Sequence, residues 1–182
     1  PVAGADYRPS QLLDTLLALF GERSQHEAGL ALVNRLGRRF DARQVQLGLV
    51  RKNSVRLLAV SHAADFVERA QQMQLATQAM HEAFDQRSAV HWPPRAGDAP
   101  VVDAAHRRYA QASAAPAVYS LPLADGANLV GVITLERDRP FDAAEGALLS
   151  ALSAALAPWF DMRRHADQGA AARLWRTSRR WL

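Results

Sequence analysis

Hydrophobic positions along the chain switch between two periods. In "SQLLDTLLALFGE" they fall at helical spacing, at Leu12, Leu13, Leu16, Leu17 and Phe20, and Gly21 is placed to end the helix. "SQHE" then reads as a capping box, in which Ser24 caps and Glu27 reaches back. The helix it opens keeps Leu32, Val33, Leu36 and Phe40 on one side. The period next drops to two. "RQVQLGLV" sets Val45, Leu47 and Leu49 on a common face. "SVRLLAVSH" sets Val55, Leu57 and Ala59 on one face and Leu58 and Val60 on the other, with Lys52-Asn53 as the turn between the strands. Apolar residues on both faces predict a sheet covered on both sides.

Helical spacing returns from about residue 65 to 86, through Phe66, Ala70, Met73, Ala76, Met80 and Phe84. A short strand is expected over Ala89 to Trp92, and "PPRAGDAP" is a loop by composition. Asp103 is placed to cap a short helix that ends near Ser113. "AVYSLPLADGANLVGVITLER" reads as a hairpin that turns at Asp125-Gly126, and Pro122 implies an unpaired N–H side near the end of its first strand. Asp142 and Glu145 form a second cap-and-reach pair. The closing helix is expected to carry Ala144, Leu148, Leu152, Leu156 and Trp159 as its stripe, and Pro158 to kink or end it. The order α-α-β-β-α-β-α-β-β-α, with antiparallel hairpins inside and helices at both ends, predicts an α+β layered domain.

Composition narrows the picture. A chain of 182 residues, 49% hydrophobic, suits one domain with a real core. No uninterrupted apolar run reaches the ~18 residues expected of a membrane span. The start "PVAGADYRPS" has neither an initiator Met nor a signal pattern, so the chain is expected to be a piece of a longer protein. The absence of cysteine excludes disulfides, thiol catalysis and thioether-linked chromophores, and fits a reducing compartment. Net charge is +4, but residues 163–182 hold six arginines against Asp167 alone. The body is therefore near neutral, which argues against a nucleic-acid partner. "HEAFD" at His81 lacks the second histidine of a zinc-protease helix, and no phosphate-cradling loop or nucleophile elbow occurs. No catalytic residue, metal ligand or cofactor is expected.

The stretches "VYSLPLADGANLVGVITLER", "RPFDAAEGALLSALSAALAP" and "ALVNRLGRRFDARQVQLGLV" together resemble a GAF domain over about residues 24 to 165. In that family a strand ending in Pro-Leu, a polar turn and a Gly-hydrophobic strand form the central hairpin, and a Phe-x-x-x-(Glu/Asp) stretch opens the last helix; Phe141 and Glu145 match it. Gly131 then serves close packing across the sheet, and Phe141 docks the start of the helix. The resemblance implies a GAF-like, PAS-related antiparallel sheet, with terminal helices on one face and a helix-and-loop cover on the other. It divides the chain into a flanking helix at 1–23, the GAF-like body at 24–165 and a basic tail at 166–182. A narrower likeness, to the GAF region before the membrane anchor of bacterial membrane-fusion, secretion-type adaptors, rests on "LLALFGERSQHEAGLALVNRLGRRF", "LGLVRKNSVRLLAVSHAADF" and the Arg-rich end.

What this implies is a noncatalytic sensory module at the cytoplasmic face of a membrane, which binds a small molecule under the cover of residues 62 to 116 and relays it through terminal helices. The ligand-binding candidates are His62, Phe66, Met73, Met80, His106, Tyr109, Tyr119, Ser120 and Thr134. Each has a plainer reading as core or locally satisfied side chain, and Ser120 and Thr134 as a cross-hairpin pair. Arg107 and Arg108 are candidates for an anion or for a solvated helix face. The signature usual in cyclic-nucleotide-binding members is absent. Arg173, Trp175, Arg176, Arg179, Arg180 and Trp181 are expected near the membrane surface, because arginine favours the cytoplasmic side and tryptophan the headgroup zone. The competing expectation is a degenerate GAF scaffold, its pocket filled by its own side chains, that forms a homodimer.

Overall fold

The computed structural model describes residues 21–22, 24–61, 68–95 and 97–178, of which 68, 69 and 167–178 are described as main chain only. Its elements are α1 (Gln25–Phe40), β1 (Gln44–Arg51), β2 (Ser54–Val60), α2 (Glu68–Gln86), β3 (Val90–Trp92), α3 (Ala104–Ala112), β4 (Ala117–Asp125), β5 (Asn128–Arg137) and α4 (Ala143–Ser178). The expected first helix, Leu12 to Phe20, lies outside the described residues. The strands form one antiparallel sheet in the order β2-β1-β5-β4-β3. This is the α+β, GAF-like layering that the sequence predicts.

One sheet face meets the terminal helices. Val45, Leu47, Leu49, Ala117, Tyr119, Leu121, Leu123, Ile133 and Leu135 pack there against Leu32, Leu36 and Phe40 of α1 and Leu149, Leu152, Leu156 and Phe160 of α4. The other face meets α2 and α3: Val55, Val90 and Val132 pack on Met80 and Ala83, and Val118 packs on Ala76, Ala79, Tyr109 and Ala110.

Two irregularities move side chains from their expected places. Leu47 pairs with Ala59 while Gly48 pairs with Leu57, so Leu58 is an extra residue in β2. Such a bulge reverses the parity of a strand. Val55 and Leu57 consequently face α2, whereas Ala59 joins the terminal-helix core rather than sharing their face. In the second hairpin Asp125 pairs with Asn128, so the turn residues are Gly126 and Ala127, one position later than expected, with Gly126 at φ +58°. The first turn is as expected, with Lys52 and Asn53 both left-handed at φ 51° and 59°. Pro122 lies past the end of β3, whose pairing with β4 stops at Ser120, and so leaves no ladder donor missing.

Gly131 sits where β5 passes closest to β1. A Cβ there would lie 2.6 Å from the Gly48 carbonyl oxygen and 3.1 Å from a Leu49 methyl. A methyl group cannot be placed there without moving backbone, which is the physical reason for glycine at this position.

The helix starts are set by capping. Ser24 Oγ accepts from Glu27 N and Glu27 Oε2 accepts from Ser24 N, both at 3.1 Å. At α4, Glu145 N donates to Asp142 Oδ1 at 2.8 Å and Asp142 N donates to Glu145 Oε2 at 2.9 Å. Glu145 also meets Arg137, which is 0% exposed. Arg137 donates to both Glu145 oxygens, to the carbonyls of Phe40 and Pro140 at 2.9 Å and to that of Arg139 at 2.8 Å. Its guanidinium carbon stands 3.8 Å from the centre of the Phe141 ring.

The buried face of α4 matches the expected stripe in part. It takes in Leu149, Leu152, Leu156, Ala157, Trp159 and Phe160, so Leu152, Leu156 and Trp159 lie where the sequence places them, while Ala144 is exposed and Leu148 half-buried. Pro158 neither ends α4 nor is buried. It removes the donor for the Ala154 carbonyl, and because both residues are exposed, water can take that carbonyl. By length and composition Ala143–Ala166 would also pass for a membrane span, but its apolar stripe lies on the sheet.

Two predictions follow from this packing. Burial opposes ionisation of Glu145, but hydrogen bonds from Arg137, the Asp142 N–H and Arg139, with the Arg137 charge, hold its carboxyl down at about 2, against an ordinary 4.5. A depressed carboxyl stabilises the fold above its unfolded value and loses that contribution as pH falls toward the folded one. Glu145→Gln should therefore cost about 3 kcal/mol at neutral pH, because it leaves Arg137 buried and without its counter-charge. The gap to wild type should narrow as pH falls from about 5 to 2, as followed by urea denaturation. Gly131→Ala should cost about 2 kcal/mol through forced strand displacement, with an unchanged urea m-value.

Candidate functional site

The sequence places the site under α2 and α3, and the described side chains there are closely packed. Met80, Ala76, Ala79, Ala83, Val90, Val118, Ser120 and Val132 are all 0% exposed, and Thr134 and Tyr109 are 1% exposed. A side chain that a water-sized probe cannot reach borders no cavity able to hold a guest. Met80 contributes directly: a Cβ added at Gly48 would lie 2.4 Å from a Val55 methyl and 3.0 Å from the Met80 sulfur, so these two side chains occupy the space that Gly48 leaves open.

The polar groups among these side chains mostly answer one another. Ser120 and Thr134 face each other across β4 and β5 with hydroxyls 2.7 Å apart, which is the plainer of their two expected readings. His106, 0% exposed, sets its Nδ1 2.6 Å from Glu82 Oε2. Glu82 also accepts from the backbone N–H groups of Ala105 at 2.9 Å and His106 at 3.1 Å. Glu82 of α2 thus caps α3, whereas Asp103, expected in that role, makes no side-chain cap bond. Burial opposes ionisation of Glu82, yet the His106 ring and the two N–H groups hold its carboxyl below the ordinary range. The Tyr109 hydroxyl lies 3.0 Å from Gln46 Nε2. Burial, then the nearby Glu136 carboxyl, pushes Tyr109 upward. Burial also raises Glu136, against the Tyr109 and Ser113 hydroxyls and the Arg43 charge. Gln46 Oε1, Glu136 Oε2 and His106 Nε2 are buried without hydrogen-bond partners among the described residues.

The candidates named from sequence therefore separate. Met80, His106, Tyr109, Ser120 and Thr134 share the α2/α3 side, and Met73 is half-buried on α2. Tyr119 falls on the opposite face, since adjacent strand residues point to opposite sides and Ser120 faces the cover. His62 and Phe66 lie outside the described residues. So do the side chains of Arg173, Trp175 and Arg176, which are on the α4 backbone, and Arg179, Arg180 and Trp181 entirely. Arg107 and Arg108 are exposed, with the Arg107 guanidinium 5.8 Å from the Trp92 ring.

A cleft of about 460 Å³ opens elsewhere, under the loop that follows β3. It is lined by His91, Arg95, Asp98, Asp103 and Tyr119 with Ala89, Pro94, Ala99, Pro100 and Val101. His91 pairs with Tyr119 in the β3–β4 ladder and stacks on its ring, with centroids 5.7 Å apart and planes 8° from parallel. Tyr119 in turn packs on Phe141 at 5.3 Å. Asp98 Oδ2 lies 2.9 Å from His91 Nε2 and accepts from the Arg95 N–H at 3.0 Å. Arg95 Nε donates to the Phe141 carbonyl at 3.0 Å. Burial raises the Tyr119 hydroxyl, Arg95 opposes that shift and Asp98 adds to it. Sequence reading had no reason to single out Arg95 or His91, which belong to a short strand and a loop without periodicity. A second, shallower cleft of about 450 Å³ lies over α2, between His81, Glu82, Asp85 and Val102. Among the described residues no cluster of His, Asp and Glu is arranged to hold a metal.

The described sheet of five antiparallel strands thus lies between terminal helices and a two-helix cover. The GAF domain family model matches residues 8–157, so the chain belongs to the GAF family. The GAF domain of an Acinetobacter phosphoenolpyruvate-protein phosphotransferase is similar at 12% identity and a TM-score of 0.61, covering 86% of this chain and 93% of its own. Free methionine-R-sulfoxide reductase from Neisseria meningitidis, in complex with its substrate, is similar at 15% identity and 0.61, covering 85% and 89%. A far-red absorbing dark-state protein with bound biliverdin IXa gives 12% and 0.61, covering 85% and 99%. At such identities the likeness shows the fold. No curated protein matches the chain. GAF domains are generally sensory or regulatory and noncatalytic, and some bind ligands.

The close packing under the cover carries its own test. Met80→Ala should cost about 3 kcal/mol by urea denaturation, the range for emptying a fully buried Met site. It should also open a cavity that xenon or benzene enters, seen as a thermal shift absent from wild type.

Proposed function

We propose that this GAF domain acts as a noncatalytic regulatory scaffold. In this reading its cover side is filled by its own side chains, and it associates with a second copy through its terminal helices. The observation that carries the proposal is the exclusion of water from Met80, Val90, Val132 and Ser120, all 0% exposed, where a guest under α2 would have to lie. The length of α4 supports the association. It continues for eighteen residues past Phe160, about 27 Å at 1.5 Å per residue, and Phe160 is its last fully buried side chain among the described residues. The cytoplasmic face of a bacterial membrane is the proposed setting, with the basic tail at 166–182 next to an anchor in a larger adaptor-type protein. The arginine and tryptophan content of that tail supports this placement.

A second reading, a small molecule held under the cover and relayed by the terminal helices, is favoured by Gln46 Oε1, Glu136 Oε2 and His106 Nε2. These buried polar atoms lack partners among the described residues, and a guest with matching groups would satisfy them.

Native mass spectrometry of the freshly purified chain separates the two readings. A dimer supports the scaffold, whereas a retained small molecule whose NMR contacts are to Gln46 and His106 on the cover side overturns it in favour of the second reading. For the membrane setting, anionic liposomes should float the full chain and not a chain ending at Met162, since each basic residue near such a surface adds about 1 kcal/mol. Equal flotation of both removes the membrane role.

A further inference from the structure

The cleft beneath the loop after β3 is lined by five polar residues, three of which keep polar atoms that the fold does not use. Its five polar lining residues divide by partnership. His91 and Asp98 answer each other at 2.9 Å, and His91 Nδ1 also lies 3.1 Å from the Pro93 carbonyl. His91 and Asp98 are thus taken up with each other, and their facing polar atoms are not left for a guest.

The other three keep polar atoms without a partner among the described residues. Arg95 uses its Nε–H on the Phe141 carbonyl, and neither terminal nitrogen of its guanidinium has a hydrogen-bond partner among the described residues, Nη2 being buried besides. Tyr119 is 4% exposed, and its hydroxyl has no hydrogen-bond partner among the described residues. Asp103 makes no cap bond to α3 and no ion pair. Arg95 and Tyr119 converge. A Cβ built at Gly146, in the first turn of α4, would lie 3.3 Å from Arg95 Nη2 and 3.4 Å from the Tyr119 hydroxyl. A side chain at position 146 would crowd both groups, and glycine leaves them space.

We infer that this cleft is a binding site for a free amino acid. The carboxylate lies against the Arg95 guanidinium and the Tyr119 hydroxyl, the ammonium faces Asp103, and the side chain lies along Ala89, Pro94, Ala99, Pro100 and Val101. An unpaired planar guanidinium beside a phenol is suited to a carboxylate, which accepts several hydrogen bonds at once. The free carboxylate of Asp103 would repel a simple anion, and it favours a ligand that carries a cation as well. A volume of about 460 Å³ accommodates such a molecule. The site lies on the terminal-helix side of the sheet and does not depend on whether the cover side is filled.

The test uses the full 182-residue chain and four probes: L-leucine, L-leucinamide without the carboxylate, 4-methylpentanoate without the ammonium, and inorganic phosphate. L-leucine should move the Tyr119 ring and Arg95 Nε–H resonances saturably and raise the melting temperature. Leucinamide and 4-methylpentanoate should each bind about tenfold more weakly or worse, the expected loss of one charge-assisted bond, and phosphate should not bind. Tyr119→Phe keeps the ring stack and removes only the hydroxyl; Arg95→Lys keeps the charge and removes the fork. Each should weaken leucine about tenfold. The inference is overturned if leucine gives no saturable shift, if either analogue or phosphate binds as tightly, or if both variants bind leucine as wild type does. These outcomes leave the dimer mass and the cover-side packing untouched, so failure here is distinguishable from failure of the scaffold reading.

Discussion

The Arg137 guanidinium is the buried charge that ties the end of α1 to the start of α4. It has five N–H donors, and carbonyls of the α1 end and of the loop before α4, with the two Glu145 oxygens, take all of them. A charge with no exposure is tolerated only when it is paired and its donors are used, and here both conditions hold. The same Glu145 closes the cap at the start of α4. One residue therefore ties together the Phe40 carbonyl at the end of α1, the end of β5 and the first turn of α4. The stripe of Leu149, Leu152, Leu156 and Phe160 packs on the sheet beyond it, and Gly146 lies beside Arg95 and Tyr119.

Much of the architecture was legible because its causes are local. Both capping boxes are short-range patterns, and both form with the bonds their spacing implies. The Lys52-Asn53 turn and the close approach at Gly131 were readable from residue type and position. What was not legible depends on distant partners. Nothing near Leu58 announces a bulge, since the extra residue is defined only against β1. Asp103 looked like the cap of α3, but Glu82, more than twenty residues earlier, supplies it from a neighbouring helix. Arg137 reads as an ordinary charge at the end of a strand until Glu145 and the Phe40 carbonyl are brought to it.

The site was legible in part. Met80, His106, Tyr109, Ser120 and Thr134 do gather on one side of the sheet, because their positions in strand and helix periods place them there. Grouping Tyr119 with Ser120 neglected the period of two, which alone separates neighbouring strand residues. Tyr119 shares its parity with Leu121 and Leu123, both in the terminal-helix core, and that parity was the available signal. Arg95 and His91 carried no comparable signal. Their significance arises from the stack on Tyr119 and the bond to the Phe141 carbonyl, contacts that span about 30 to 50 positions of sequence.

The two sides of the sheet therefore bear on regulation differently. On the cover side, side chains that water cannot reach leave little freedom for a guest without local rearrangement. On the helix side, Arg95 bonds the carbonyl of Phe141, and the Phe141 ring lies between Tyr119 and the Arg137 clamp. Anything that draws Arg95 outward loads the segment where α4 begins, which the clamp otherwise holds. A guest can bias the helix only to the extent that it binds one arrangement of that segment better than another. Arg95 is bonded to the Phe141 carbonyl and lies beside Gly146 in the first turn of α4, and this is where a binding event and a helix displacement would share the same atoms.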